Sequence, residues 1–219
     1  MSTPICDPLR RGALAGLVAL LAACATSLPA PDRADVRVLG ETVTIVAPQG
    51  LCVDPASLDV GRAGGFMLIT DCAVIGEVAA TGPGLPGVLT VSVTTGDLPG
   101  TLADLEAFVT GPGLLTLGKS GRPEAVSIRA RSRTPEALFV KIRDTGPQPV
   151  PGAAPEFWRV FFDAGPRLVS ASLTGFSDAA LSDAQAQRVL SELVVRTLGA
   201  NAVAAPAAAS PVTGGAAPG

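Results

Sequence analysis

Histidine and tyrosine are absent from the chain, and aromatic residues make up only 4% of it, with a single tryptophan. The missing histidine removes Ser-His-Asp triads, Cys-His pairs, histidine-ligated zinc and the histidine general base together. Scarce aromatics leave little from which to build a base-stacking platform. A basic excess is lacking too: 16 Lys and Arg stand against 19 Asp and Glu, a formal charge of −3. Nucleic-acid-binding domains usually carry a clear positive balance, so no nucleic-acid partner is expected. Lys119 and Lys141 are the only lysines. With the abundance of Ala, Gly and Pro, that scarcity reads as codon bias and not as function. What is present is apolar material: 47% of 219 residues are hydrophobic, enough for one core of ordinary domain size.

The N-terminus carries the most specific signal. Arg10 and Arg11 precede an apolar run from Ala13 to Ala23, which is too short to span a membrane and has the layout of a secretory signal peptide. Leu21-Ala22-Ala23-Cys24 resembles a bacterial lipobox. The resemblance implies cleavage before Cys24 and acylation of that cysteine, and two or three acyl chains anchor a protein stably where one does not. Ala25 stands where an aspartate would favour inner-membrane retention in enteric lipoproteins, so the outer membrane, facing the periplasm, is the expected address. Arg10-Arg11 lacks the flanks of a twin-arginine signal. Cys6 then leaves with residues 1–23 and Cys24 carries lipid. Cys52 and Cys72 remain as an even pair in an oxidising compartment, and a disulfide between them is expected.

Residues 24–35 read as lipid anchor and polar spacer, residues 36–199 as one domain, and residues 200–219 as a disordered Ala/Pro/Gly tail that cannot bury enough surface to offset ordering. Inside the domain, strands are expected over 42–47, 65–72 and 88–95, with a helical turn after Asp54-Pro55. Thr101 and Asp104 form a capping-box pattern ahead of a helix that should stop by Gly111. Two hairpins follow, 125–133 with 137–144 and 157–162 with 167–174. Ser182 and Gln185 open a closing helix whose apolar face is Ala186, Val189, Leu190, Leu193, Val194, Thr197 and Leu198, with Gly199 as the stop.

Runs of strands with two helices predict an α+β fold: an antiparallel sheet with a mid-chain helix and a C-terminal helix packed on it. This order, opening on Val43-Thr44-Ile45-Val46-Ala47-Pro48, resembles the PsbP/DcrB type of α-β-α sandwich. The chain is also similar to uncharacterised alphaproteobacterial lipoproteins that share the Cys52/Cys72 spacing and the Phe157-Trp158-Arg159 segment. PsbP-like domains mostly act as accessory or assembly modules, so the resemblance implies a non-catalytic role.

The candidate chemistry is thin. Gly113 to Ser120 matches the pattern of a phosphate-cradling P-loop, but a helix precedes it and Gly121-Arg122-Pro123 follows, where a strand and a helix are required. Ser120 and Ser127 lack any motif of a Ser/Lys hydrolase. Asp54, Asp59, Asp71 and Glu77 have no acid/base or calcium-loop spacing and read as capping or solvated residues. Arg129, Arg131 and Arg133 recur at period two, which on a regular strand places them on one face. A three-residue turn would set Arg129 opposite Lys141 and Ser127 opposite Arg143, with Ile128, Ala130, Val140 and Ile142 inward. Such a face is either neutralised by nearby carboxylates or a patch for an anionic envelope component or envelope protein. Phe157, Trp158 and Phe161 lie in a strand apolar on both sides, which implies a doubly packed strand or an apolar surface for a ligand or partner. The expected function is a membrane-anchored accessory or assembly factor that binds and does not catalyse, with no cofactor and no metal. A periplasmic small-ligand carrier is the alternative.

Overall fold

The computed structural model describes residues 30–76, 84–98 and 100–202. Cys24, the expected signal peptide, Glu77 and the tail beyond residue 202 lie outside the described residues. Two strands, β1 (Arg33–Val38) and β2 (Glu41–Val46), pair as an antiparallel ribbon. Then come β3 (Leu51–Val53), β4 (Asp59–Gly61) and β5 (Gly64–Asp71), the one-turn helix α1 (Cys72–Ile75), β6 (Gly87–Val93) and helix α2 (Leu102–Thr110). The chain closes with β7 (Val126–Arg133), β8 (Ala137–Asp144), β9 (Ala153–Ala164), β10 (Arg167–Phe176) and helix α3 (Asp183–Ala202). Strands β3 to β10 form one eight-stranded sheet in the order β3-β5-β6-β10-β9-β8-β7, with β4 beside β5. Every pairing is antiparallel, so the fold is α+β as the strand and helix pattern requires. After β6 the chain crosses through α2 to the far edge, and the β7–β10 meander returns to close on β6.

Local chemistry explains the boundaries. The Asp54 carboxylate accepts from the Ala56 N–H at 2.9 Å, and that of Asp71 accepts from Ala73 at 2.9 Å. Both read as capping carboxylates in the sequence and both are. Thr101 donates to Asp104 through its N–H (2.9 Å) and its hydroxyl (2.8 Å), and accepts from the Asp104 N–H at 3.2 Å. The backbone donation first, then the hydroxyl, holds the Asp104 carboxyl below the usual aspartate range. At α3 the Ser182 N–H and hydroxyl reach Gln185 at 3.1 and 2.8 Å, and the Gln185 N–H returns to the Ser182 hydroxyl. Cys52 in β3 and Cys72 in α1 are joined as a disulfide, tying the edge strand to the turn after β5.

Two expected limits move. The segment read as spacer ends inside β1, because Asp32 and Pro31 carbonyls already accept from the Ala47 and Val53 N–H groups, both at 2.8 Å. Gly199 does not stop α3. Asn201, two residues further on, accepts from the Thr44 N–H at 3.1 Å and donates to the Thr44 carbonyl at 2.9 Å. Its amide pairs with the backbone of β2 as another strand would, and that tertiary anchor extends the helix past its glycine.

The sheet is packed on both faces. One face meets α3 and the β1–β2 ribbon through Val36, Ile45, Met67, Ile69, Leu89, Val91, Leu173, Leu190 and Leu193. The ribbon lies so close that a Cβ on Gly65 would collide with the Val36 side chain. The other face meets α2 and the 3-10 turn Leu114–Thr116 through Leu105, Val109, Leu117, Leu138, Val140 and Ile142. Burying each of these large aliphatic side chains contributes roughly 1.5–3 kcal/mol. Strand β9 serves both layers by alternation: Phe157 and Phe161 point toward α2, Trp158 and Val160 toward α3. Phe157, Trp158 and Phe161 are 2%, 4% and 7% exposed. They are core residues, as the doubly packed reading of the strand has it, and they do not form an exposed apolar surface.

Candidate functional site

The basic hairpin, expected to crowd five cations on one face, is split by a β-bulge. Ser127 pairs with Arg143 as anticipated and Ile128 with Ile142, but the register then shifts, and Ala130, not Arg129, stands opposite Lys141. The extra residue turns the following side chains over. Arg131 now pairs with Val140 and Arg133 with Leu138, on the α2 side, where both reach Glu106 of α2: Arg131 Nε at 2.8 Å and Arg133 Nη1 at 3.4 Å. Ala130, expected inward, is exposed.

Arg129 and Lys141 remain on the α3 side. Lys141 Nζ sits 2.8 Å from Asp183 Oδ1 and 3.2 Å from Glu156 Oε2, and Arg129 Nε lies 3.9 Å from Glu156 Oε1. Trp158 Nε1 donates to the same Asp183 oxygen at 3.0 Å. Hydrogen bonding to Asp183 is the main cause that raises the Lys141 ammonium above its usual value. The reciprocal bond from Lys141, then the Trp158 indole, holds Asp183 low. A pocket of about 140 Å³ opens here between β9, β10 and the start of α3, lined by Trp158, Leu173, Leu181 and Ala186 with Lys141, Glu156 and Asp183. Arg143 is exposed and makes no ion pair among the described residues. Four of the five predicted cations thus face a carboxylate of the same domain, three carboxylates serving the four.

The Gly118-Lys119-Ser120 segment does cradle an anion, but the anion is Asp144, which is fully buried. Its carboxylate accepts from the Lys119 N–H at 2.7 Å, the Ser120 N–H at 2.8 Å, the Ser120 hydroxyl at 2.6 Å and the Gly146 N–H at 3.0 Å. Burial alone would raise this carboxyl, yet these donors, the Ser120 hydroxyl foremost, outweigh it and hold it low. Gly118 allows the approach: a Cβ there would stand 2.5 Å from Val126 Cγ2 and 3.2 Å from Asp144 Oδ2. With about four lone-pair sites on a carboxylate, all are engaged. The loop's donors are therefore taken, which is a second reason, beside its context, that it does not hold a nucleotide phosphate.

Fixing the backbone of Lys119 sends its side chain over the sheet. Nζ hydrogen-bonds Thr174 Oγ1 and lies 4.1 Å from the Phe157 ring centroid. The Arg159 guanidinium approaches that ring at 5.6 Å, and its Nε donates to Ser172 Oγ at 2.7 Å. In register, Ser172 stands beside both Thr90 and Arg159. The two cations thus meet on a hydroxyl-lined strip of β6, β10 and β9, and among the described residues neither forms an ion pair. Desolvation first, then the charge of Arg159, pushes the Lys119 ammonium down to about 8, against the opposing pull of Asp144. Burial pushes Arg159 down to about 10, which leaves it charged at neutral pH. The one legible trace of this strip in the sequence is Arg159 itself, a cation inside an otherwise apolar strand; Lys119 read only as a residue near a turn.

No protein-family model, curated protein or solved structure matches the chain.

Proposed function

We propose that this protein is a lipid-anchored, periplasm-facing binding protein without catalytic activity, an accessory or assembly factor of the bacterial cell envelope, with the outer membrane as its more favoured address. The observation that carries the reading is the Cys52–Cys72 disulfide in a domain whose first strand begins at Arg33, shortly after the lipobox-like cysteine. A disulfide belongs to an oxidising compartment. The span from Cys24 to Arg33 reaches at most about 30 Å when fully extended, so an acylated Cys24 would hold the domain against the bilayer. The order of strands and helices, with α2 on one face and α3 on the other, supports the PsbP/DcrB-type sandwich, whose members serve mostly as accessory modules. The carrier alternative has less support: the pocket beside Trp158 holds about 140 Å³, below the roughly 300 Å³ at which ligand sites usually begin.

The test is metabolic labelling with palmitate and fractionation of the full chain beside Cys24→Ala. We expect label and membrane association in the wild type and loss of both in the variant. Crosslinking in intact envelopes should then give an adduct of defined mass that depends on anchoring. An unlabelled wild-type chain recovered wholly in the soluble fraction would overturn the reading.

A further inference from the structure

Two desolvated cations held side by side cost stability unless something offsets their repulsion. Elsewhere on this domain that repulsion is offset by design: Lys141 lies between two carboxylates and Glu106 takes both Arg131 and Arg133. At Lys119 and Arg159 it is not. The nearest carboxylate, Asp144, has its lone pairs engaged by Lys119 N–H, Ser120 and Gly146, so it lends charge at a distance and no hydrogen bond to the ammonium. Both cations are half-buried, neither closed off nor free in solvent. Both are held in place by neutral acceptors, Thr174 and Ser172, and by the face of Phe157. Arg159, the hydroxyls and the aromatic floor are fixed on β9 and β10, and Lys119 is held beside them by the loop that Asp144 organises. A planar guanidinium and an ammonium supply strong donors of the right sign for an oxyanion.

We propose that Lys119 and Arg159, with the hydroxyls of Ser172 and Thr174, form a binding site for a phosphate-type oxyanion. Such a group is carried by inorganic phosphate and by the diester headgroup of an anionic lipid, and the same donors suit both. The site stands on its own geometry and does not depend on lipidation of Cys24. The groups facing Lys119 Nζ are Arg159 from β9 and Asp144 from the end of β8. A bound anion adds the negative charge that Asp144 cannot deliver by contact, so the complex should hold Lys119 protonated to higher pH than the free protein does.

The experiment is calorimetric titration of the full-length protein in neutral detergent. One arm uses inorganic phosphate and a second uses deacylated phosphatidylglycerol, the soluble diester headgroup. Saturable binding in the millimolar range or tighter is expected in at least one arm, and the tighter arm identifies the source. Lys119→Met keeps the aliphatic stem over Phe157 and removes a desolvated charge, so it should fold at least as well as the wild type; it should bind at least tenfold more weakly. Arg143→Gln removes an exposed cation from the hairpin and should bind as the wild type does. With sulfate, whose charge is constant in this range, wild-type affinity should fall as pH rises from 7 to 9 and deprotonates Lys119. No saturable binding in either arm, equal binding by Lys119→Met, or an equal loss in Arg143→Gln would each overturn the proposal.

Discussion

Two cation clusters, one on each face of this sheet, treat positive charge in opposite ways. On the α3 side, Lys141 lies between Glu156 and Asp183, and the Trp158 indole completes the cluster. On the α2 side, Lys119 and Arg159 share an aromatic ring and two hydroxyls, with no carboxylate in contact. A lysine is thus raised in basicity in one cluster and lowered in the other, where the arginine beside it is lowered as well. The difference arises from Asp144, whose position near Lys119 would have made an ion pair had the loop's own donors not claimed it. A buried carboxylate can neutralise a cation or organise a backbone loop, and here it organises the loop.

The largest effect should follow from removing that organiser. Asp144→Ala leaves the Lys119, Ser120 and Gly146 N–H groups without their acceptor in a buried site and should cost about 4 kcal/mol, since each unsatisfied buried donor costs roughly 1–3 kcal/mol and the loop relaxes in part. Urea unfolding monitored by Trp158 fluorescence would measure it. A loss below about 1 kcal/mol would mean that the loop finds other partners and that Asp144 does not set the position of Lys119. Because the Asp144 carboxyl is held low, its contribution is present at neutral pH and lost as pH falls through its depressed folded value.

Next in size is a pair of substitutions with opposite signs. Lys141→Met leaves Glu156 and Asp183 facing each other and should destabilise the domain by about 1 kcal/mol. Lys119→Met removes a desolvated charge beside another cation and should stabilise it by about 1 kcal/mol at pH 7, the lost Thr174 hydrogen bond offsetting part of the gain. If both variants shift the urea midpoint in the same direction, the contrast between the two clusters fails. The pH profile sharpens it further. Lys119 holds fewer protons when folded at about 8 than when unfolded, so wild-type stability should climb as pH rises from about 8 toward the ordinary lysine value, and the Lys119→Met profile should be flat there.

Much of this fold is legible from residue patterns, because the capping boxes at Thr101 and Ser182, the Pro/Gly turns, the alternation in β2 and the apolar runs of β5, β6 and β9 are local and agree with the packing. Cys52 and Cys72 also pair as their number and setting require. What escaped the pattern is tertiary. Period two in Arg129, Arg131 and Arg133 assumes an unbroken strand, and nothing in Ser127-Ile128-Arg129-Ala130 marks the bulge that sends them to different faces. Strand β1 hides in a polar stretch because only Val36 and Val38 of it are fully buried. Helix α3 outruns Gly199 because Asn201 meets β2. The meeting of Lys119 with Arg159 depends on Asp144 at the end of β8 holding the Lys119 loop and on the pairing of β8 with β9 and β9 with β10, which no short window of residues contains.

The smallest predicted effect tests whether that bulge matters for stability or only for direction. It delivers Arg131 and Arg133 to Glu106, but both arginines are half-exposed, with side chains 57% and 45% accessible. Pairs of this kind contribute about 0.2–1 kcal/mol and are screened by salt. Glu106→Gln should therefore lower stability by about 0.5 kcal/mol at low ionic strength and by nearly nothing in 1 M salt, as read by paired denaturation curves. A loss that persists in high salt would place Glu106 in a water-excluded contact between α2 and the hairpin, and would make the bulge a packing device. A loss that salt erases leaves the bulge with a different consequence, that of clearing Arg131 and Arg133 from the α3 side, so that only Arg129, Lys141 and the exposed Arg143 share that face with Glu156 and Asp183.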